Sequence, residues 1–332
     1  MKIQGLRVAY LCVQGGPHLA HKPWVDGLSS YLDAEVIYIP RNTLCRLLPS
    51  YILTAKKFDL AIADGFSALP TGWLMKKIGL CRRLAFITTS PAIIRFPKLS
   101  SSLLKSVDLV IATSSLMSSV IKSSFNFSGR MVICHPVPDL SDFLKIDPSL
   151  KSDRICFVGS HLYIKGVDLL PEIITRVRRK IKDVEIYVIG KGKMVNESDG
   201  IKVFGYVPHD KRLLLLSECS VYLHPARFEP FGLSVVEAMA AGLIPIVTRM
   251  TGAKDLVKEV DSSLIVPVDV NAINAKIVEV LSMDIEEKEA LSRRAKQVAR
   301  EWSAKSKKTF LKGIVKALQV HEGIRSLPIE CR

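Results

Sequence analysis

The sequence predicts an α/β protein made of two doubly wound, Rossmann-like domains, and three observations support this fold class. The chain has 332 residues, a length that suits two domains. Short, uniformly apolar runs alternate with amphipathic stretches, which is the pattern of parallel sheets covered by helices on both faces. The alternation is interrupted once, at 136–153, by a segment rich in Pro, Asp and Ser that is typical of a linker.

The first series of elements predicts an N-terminal domain over residues 1–145. Its clearest helical stretches are 24–32 and 114–125. Its strands are apolar and rich in β-branched residues. We predict these strands at 6–13, 34–40, 60–64, 84–89, 109–114 and 130–136.

The second series predicts a C-terminal domain over residues 150–300, with a separate closing helix at 303–320. Its strands are again uniformly apolar and separated by helical stretches, as in a second parallel sheet. We predict strands at 154–160, 184–190, 201–207, 220–225, 243–248 and 263–268, and helices at 168–182, 210–218, 234–241, 270–283 and 285–300.

The chain is strongly basic, with a formal net charge of +15. This charge favours anionic partners: nucleic acid, anionic lipid or phosphorylated ligands. Residues 41–105 hold eleven basic and two acidic side chains among strongly apolar stretches, which suits a surface that lies on an anionic membrane. An ordinary solvated basic face is the alternative. Aromatic residues that could stack on bases are sparse there, which argues against nucleic acid.

The cysteines and the hydropathy pattern point to the cytoplasm. The seven cysteines are odd in number and contain no CxxC pair, which argues against a disulfide framework and a zinc site. No apolar run approaches the roughly 18 residues of a spanning helix, and the N-terminal run is too short for a signal peptide. We expect a cytoplasmic protein, peripheral on the inner face of the membrane if the basic region binds lipid.

Tandem α/β domains place ligands at the carboxyl ends of their strands, so the strand-to-helix turns are the candidate sites. In one turn Gly159 ends a strand, and Lys165 precedes a helix. The free N–H groups of a helix start and a nearby ammonium suit phosphate oxygens. A solvated loop lysine is the alternative for Lys165.

The second turn, RFEPFGLSVVEAMAAG at 227–242, contains two carboxylates around a glycine. Gly232 allows a ligand to approach the backbone closely. Glu229 lies in the loop, where a carboxylate can accept the vicinal hydroxyls of a sugar or ribose. Two roles are open for the carboxylate of Glu237: it binds a ligand, or it completes a capping box with Ser234 at the start of the helix. Neither acid has a companion at metal-ligand spacing, so we expect no metal.

The stretch HPARFEPFGLSVVEAMAAGLIPIVT at 224–248 resembles the signature of the family 4 retaining glycosyltransferases, including its E-x7-E spacing. The turn VGSHLYIKGVDLL at 158–170 resembles the phosphate-binding segment of that family, and weaker likeness extends over most of 105–320. The resemblance implies the GT-B fold, in which two Rossmann-like domains face a central cleft. It also implies a hexosyltransferase that uses a UDP- or GDP-sugar and retains anomeric configuration without a metal ion.

The resemblance also implies a role for each matching residue. Glu237 would bind the donor ribose and Glu229 the transferred sugar, while Lys165 would hold the diphosphate of the donor. The acceptor would be lipid-linked, a glycan or a protein. The other implied donor contacts are Gly159 in the phosphate turn, backbone from Phe231, Gly232, Leu233 and Ser234 at the diphosphate, Tyr206 and Val207 at the base, and Gly15 and Gly16 approaching the phosphates.

The sequence departs from the family pattern at several positions. Ser160 stands where the family has an arginine, and His161 could partly replace that arginine as a catalytic contact to the diphosphate. Thr88, Thr89 and Ser90 occupy the region of a family histidine that contacts the transferred sugar, and Thr251 replaces a glycine. His18, His21 and Lys22 could compensate, or they are plain loop residues. A catalytically silent nucleotide-sugar binder and a basic nucleic-acid-binding or -modifying protein remain as alternative functions.

Overall fold

The computed structural model describes residues 7–13, 21–31, 33–40, 56–136 and 138–319. The chain divides into two compact units, one comprising residues 1–138 with 304–332 and the other residues 139–303. None of the helices in the described part combines the length and hydrophobicity that a bilayer-spanning segment needs.

The N-terminal unit is built on a parallel sheet of six strands in the order β2-β1-β3-β4-β5-β6. Its central strands are buried along most of their length because helices cover both faces. The strands are β1 Arg7–Val13, β2 Asp33–Ile39, β3 Phe58–Asp64, β4 Cys81–Thr88, β5 Leu109–Ala112 and β6 Arg130–Ile133. The helices are α1 Lys22–Tyr31, α2 Leu69–Lys77, α3 Ala92–Arg95, α4 Pro97–Leu104 and α5 Ser115–Phe125.

The second unit holds another parallel six-stranded sheet, in the order β12-β11-β10-β7-β8-β9. Its strands are β7 Arg154–Val158, β8 Glu185–Ile189, β9 Ile201–Gly205, β10 Val221–His224, β11 Ile244–Thr248 and β12 Ile265–Val266. Its helices are α6 Leu170–Arg178, α7 His209–Ser217, α8 Leu233–Ala240, α9 Lys254–Val260 and α10 Val270–Leu281. Helix α11, Ile285–Gln319, begins in this unit, and its residues from 304 onward belong to the N-terminal unit.

The strand order of the second sheet creates a switch point between β7 and β10. The chain proceeds from β7 toward one edge of the sheet and from β10 toward the other. The loops that follow these two neighbouring strands therefore diverge to opposite faces and leave a crevice at their carboxyl ends. Lys165 lies in the loop after β7, and Glu229 lies in the loop after β10.

The predicted α/β class and all twelve predicted strands are confirmed, but the predicted break between the last two helices and the predicted start of α6 were wrong. The stretches 285–300 and 303–319 form one helix, α11, because no Gly or Pro interrupts the chain before Gly313 and Ala304 favours helix. The helix predicted at 168–182 begins only at Leu170, after two short 3-10 turns separated by Gly166 in the left-handed region.

Candidate functional site

The loops after β7 and β10 are joined by their backbones at the switch point. The N–H groups of Arg227 and Phe228 donate to the carbonyl of Ile164, at 2.9 and 3.2 Å. A Cβ atom on Gly166 would lie 2.0 Å from the carbonyl oxygen of Pro225, so only glycine fits this crossing. Lys165 therefore enters the crevice from a loop whose position is set by the loop that carries Glu229.

Arg227 clamps the same two loops together. Its guanidinium makes a bidentate ion pair with Asp168, at 2.7 and 2.8 Å, and donates to the carbonyl of Tyr163. The guanidinium also stacks 3.7 Å from the centre of the Tyr163 ring. A planar, bidentate and stacked arginine is a rigid link.

The backbone of Glu229 is held by the loop that follows β11. Its N–H donates to the carbonyl of Met250, and its carbonyl accepts from the N–H of Gly252, both at 2.9 Å. The hydroxyl of Thr248 donates to the carbonyl of Ala226 at 2.6 Å. The carboxylate of Glu229 therefore projects from a backbone that is fixed on both sides.

Two basic groups bind one oxygen of the Glu229 carboxylate. The ammonium of Lys165 and Nε2 of His224 both contact Oε2, the histidine at 3.2 Å. Oε1 has no hydrogen-bond partner among the residues that the structure describes. Glu229 is buried, so Oε1 is a fixed acceptor for a ligand hydroxyl.

The electrostatics of this cluster keep Glu229 ionised and His224 neutral. Burial alone would raise the pKa of Glu229, but the hydrogen bond from His224 and the charge of Lys165 outweigh it and lower the pKa to about 2. Burial lowers the pKa of His224, because a charged imidazole is disfavoured away from water. Neutral His224 thus donates from Nε2 to Glu229 and can accept at Nδ1.

Tyr222 and Ser234 extend the cluster behind His224. The hydroxyl of Tyr222 lies 3.3 Å from Nδ1 of His224 and donates to Oγ of Ser234 at 2.7 Å. Residues 222 and 224 are two positions apart on β10, so their side chains lie on the same face of the strand. Neither His224 nor Tyr222 was predicted as a site residue, although the alternation SVYLHP before the Glu229 loop was the available signal.

Glu237 is a ligand candidate because the predicted capping box does not form. Helix α8 starts at Leu233 after Gly232, which sits at φ +101°, and no side chain caps it. Ser234 lies inside the helix and bonds to Tyr222 instead. Glu237 pairs with Arg212, whose Nη1 lies 3.3 Å from Oε2. Burial raises the pKa of Glu237, and the positive charge of Arg212 opposes that rise.

Arg212 is held by its own neighbours on the far side of Glu237. Its Nη2 lies 3.2 Å from Nδ1 of His209, and its guanidinium lies 5.1 Å from the centre of the Phe143 ring. Within the described chain its buried Nε has no hydrogen-bond partner. In both Glu229 and Glu237, a cationic side chain therefore contacts Oε2, and no described group binds Oε1.

His161 is a buried histidine with both ring nitrogens unpartnered among the described residues. Its backbone N–H donates to the carbonyl of Lys191 at 2.8 Å, and a Cβ on Gly192 would lie 2.1 Å from the Cβ of His161. Burial lowers its pKa. Because buried polar groups are normally satisfied, this imidazole is suited to a ligand.

The remaining predicted donor contacts are spread along the carboxyl edge of the second sheet. Gly159 follows β7 directly, and a Cβ on Gly190 would lie 1.8 Å from the carbonyl oxygen of Gly159. Tyr206 follows β9 and is 76% exposed, with the ammonium of Lys191 over its ring at 4.9 Å. Val207 beside it packs partly on the core. Gly15, Gly16 and His18 lie outside the described residues.

The N-terminal unit carries a buried polar cluster at its own switch point, between β1 and β3. Asp64 accepts from the hydroxyl of Tyr10 and contacts Nδ1 of His21, both at 2.9 Å. Thr88 is used within the sheet: its hydroxyl accepts from the N–H of Thr113 at 3.1 Å. Thr88 therefore does not offer that hydroxyl lone pair to a sugar.

No group of three or more His, Cys, Asp or Glu side chains suited to a metal ion occurs among the residues that the structure describes. The cations at the site are the side chains of Lys165 and Arg212.

Residues 142–298 match the family described as glycosyl transferases group 1. Among solved structures, the chain is similar to sucrose-phosphate synthase from Thermosynechococcus elongatus, with a TM-score of 0.75 and 16% identity over 95% of this chain and 99% of that one. It is also similar to Anabaena Alr3699/HepE in complex with UDP and glucose, with a TM-score of 0.71 and 19% identity over 95% and 100%. These likenesses confirm the fold class, including GT-B.

Two curated relatives are similar over part of the chain. One is the GPI3 subunit of phosphatidylinositol N-acetylglucosaminyltransferase from Saccharomyces cerevisiae, 28% identical over 48% of this chain and 39% of the relative. The other is glycogen synthase from Elusimicrobium minutum, 30% identical over 37% of this chain and 27% of the relative. The matched stretches thus span about two fifths or less of the length of these relatives.

Proposed function

We propose that this chain, whose residues 142–298 match the glycosyl transferases group 1 family, moves a hexose from a nucleotide-diphosphate sugar to an acceptor hydroxyl. The observation that carries this proposal is the pair of fixed carboxylates on either side of Gly232. Glu229 and Glu237 each have Oε2 held by a cation and Oε1 without a described partner. Two such acceptors suit the hydroxyls of a ligand that contains two sugars.

In this proposal the donor lies along the carboxyl edge of the second sheet. Glu237 accepts the ribose hydroxyls and Glu229 accepts hydroxyls of the transferred hexose. His161 supplies a buried N–H to the diphosphate in place of the family arginine, together with the N–H groups that begin α8. Tyr206 and Val207 flank the base, with Gly159 at the phosphate turn.

The proposed reaction needs positive charge at the leaving group. The bond between the anomeric carbon and the diphosphate oxygen breaks, and its electron pair stays on the diphosphate. The acceptor oxygen bonds to the anomeric carbon and gives its proton to the departing diphosphate oxygen. Lys165 stabilises that oxygen by leaving Glu229 for the phosphate, a contribution of about 3–4 kcal/mol. Attack on the face of departure retains the anomeric configuration, and no metal ion takes part.

The relatives support a sugar-nucleotide donor. A similar structure holds UDP and glucose, and one relative is a phosphatidylinositol N-acetylglucosaminyltransferase subunit. We propose a lipid-linked, glycan or protein acceptor.

The experiment measures thermal stabilisation by UDP, GDP and ADP, and then release of nucleotide from the matching sugar nucleotides. Glu229→Gln is expected to lower turnover by about 10²–10³-fold, because the neutral amide loses a charged contact that orients the sugar. Glu289→Gln, at an exposed glutamate paired with Arg293, is the matched control. Wild-type protein that neither binds a nucleotide nor releases one contradicts the proposal.

A catalytically silent nucleotide-sugar binder is the second candidate. It is favoured by one observation: the hydroxyl of Thr88, in the region of the family histidine, accepts a hydrogen bond from the backbone N–H of Thr113. This candidate predicts stabilisation by a nucleotide without turnover, whereas the transferase predicts both.

A further inference from the structure

A run of six exposed residues, 94–99, covers the end of helix α3 and the start of helix α4 in the N-terminal unit. Its sequence is IRFPKL, in which three large apolar side chains alternate with two cations and a proline. Ile94 is 38% exposed, and Phe96 and Leu99 are each 49% exposed. We name this run the basic-apolar projection (residues 94–99).

The projection is held rigidly at both ends. Ile93 and Ser100, which flank it, are fully buried. The hydroxyl of Ser100 donates to the carbonyl of Ile93 at 2.7 Å, and its N–H donates to the carbonyl of Phe96 at 2.9 Å. Pro97 fixes one backbone angle, and the ring of Phe96 stacks on Phe66, 6.1 Å away. The apolar side chains are therefore held outward by the fold and cannot readily collapse onto the core.

The sequence on either side of the projection carries positive charge only. Residues 65–107 contain seven Lys or Arg and no Asp or Glu. Within the described chain neither Arg95 nor Lys98 forms an ion pair with an acid, and Arg95 lies over the ring of Phe96 at 5.8 Å. A patch that is apolar and purely cationic is complementary to a surface that is apolar inside and anionic outside.

We propose that the basic-apolar projection inserts Ile94, Phe96 and Leu99 into the headgroup region of an anionic phospholipid bilayer, with Arg95 and Lys98 on the lipid phosphates. Nucleic acid would use the cations but would leave the aliphatic side chains in water. A second copy of this chain would set like charge against like charge. An anionic bilayer satisfies both the apolar and the charged side chains.

The position of the projection orients the N-terminal unit on such a bilayer. Helix α3 follows strand β4 after a turn of only three residues, and Phe66 follows strand β3. The projection therefore stands at the carboxyl edge of the N-terminal sheet, where β3 ends at Asp64 and Thr89 follows β4. An acceptor held in the bilayer would face that edge. Membrane binding itself does not depend on the proposed transferase activity.

The test is sedimentation of the full chain with vesicles of phosphatidylcholine alone and of an equal mixture of phosphatidylcholine and phosphatidylglycerol. The double variant Phe96→Ser with Leu99→Ser is expected to weaken binding to the mixed vesicles at least about tenfold, because two apolar side chains no longer leave water. Arg95→Gln with Lys98→Gln is expected to weaken binding about fivefold per charge at low salt and much less at high salt.

Two control variants distinguish a change in the projection from a general loss of exposed apolar surface or of positive charge. Leu214→Ser removes an exposed apolar side chain from the other unit, and Lys180→Gln with Lys182→Gln removes two exposed charges there. Both controls are expected to bind like wild type, and circular dichroism checks that every variant is folded. Three outcomes would overturn the proposal. They are equal binding of the wild type to neutral and mixed vesicles, wild-type binding by both projection variants, and a loss of self-association as the main effect of the projection variants.

Discussion

Replacing His224 with phenylalanine tests the buried cluster behind Glu229 most sharply. Phenylalanine preserves the ring volume but removes the hydrogen bond to Oε2 of Glu229, which is 3.2 Å long and fully buried. A hydrogen bond to a charged group contributes about 1.5–3 kcal/mol, so the melting temperature of this unit should fall by roughly 3–12 °C at neutral pH. Lys165 still balances the carboxylate, which keeps the loss within that range.

The loss of stability in His224→Phe should depend on pH, and the pKa shifts of His224 and Glu229 determine its direction. Burial lowers the pKa of His224, so the unfolded chain takes up a proton there more readily and wild type loses stability as the pH falls below about 6.5. The lowered pKa of Glu229 contributes stability above about pH 4.5 that is lost as the pH falls toward 2. The advantage of wild type over the variant should therefore be greatest above pH 6.5 and shrink in acid.

The assay is thermal unfolding from pH 4 to 8 for wild type, His224→Phe and the control Leu214→Phe. Leu214 is exposed to solvent, so its replacement should change stability by no more than about 0.5 kcal/mol at any pH. A His224→Phe variant as stable as wild type at pH 8, or a difference that grows in acid, would refute the described cluster.

Three further predictions concern the groups around the two carboxylates. Arg212→Leu should raise the pKa of Glu237 further, so that UDP affinity measured by calorimetry is lost at a higher pH than in wild type. Arg212→Lys keeps a positive charge and should restore most of the wild-type pH profile. An unchanged pH profile in Arg212→Leu would show that Arg212 does not act on Glu237. Gly232→Ala should destabilise the protein by about 1–3 kcal/mol in denaturant titrations, because φ is +101° and the new Cβ would lie 3.3 Å from Cγ of Glu229; a neutral effect would mean that α8 can start differently. Lys165→Met should lower kcat by about 10²–10³-fold with a smaller change in KM, and an effect on KM alone would remove its leaving-group role.

The fold was largely predictable because its strands are short, apolar and regularly separated. Four helices, α2, α3, α4 and α9, escaped prediction; of these, α3 has four residues and α4 begins at Pro97. The predicted break at 303 was wrong because a serine at a pattern change does not end a helix, whereas Gly166 does delay the start of α6. The spacing of apolar residues and the positions of Gly and Pro thus predicted the type of each element better than the residues at which it begins and ends.

The site was predictable only in part, because contacts between distant residues depend on strand order. Lys165 and Glu229 were each selected from their own turns, but their ion pair joins residues 64 positions apart and follows from the adjacency of β7 and β10. The pairing of Glu237 with Arg212 joins α8 to α7, the helices that follow and precede β10 in the chain. The capping box was a sound local hypothesis that failed because Gly232 sets the helix start one residue earlier.

The central claim concerns the two oxygens that no described residue binds, Oε1 of Glu229 and Oε1 of Glu237. A crystal structure of the protein soaked with the sugar nucleotide that stabilises it most would test this directly. We expect a hexose hydroxyl within about 3.2 Å of Glu229 and a ribose hydroxyl within about 3.2 Å of Glu237. A bound donor whose sugars contact neither carboxylate would contradict the account.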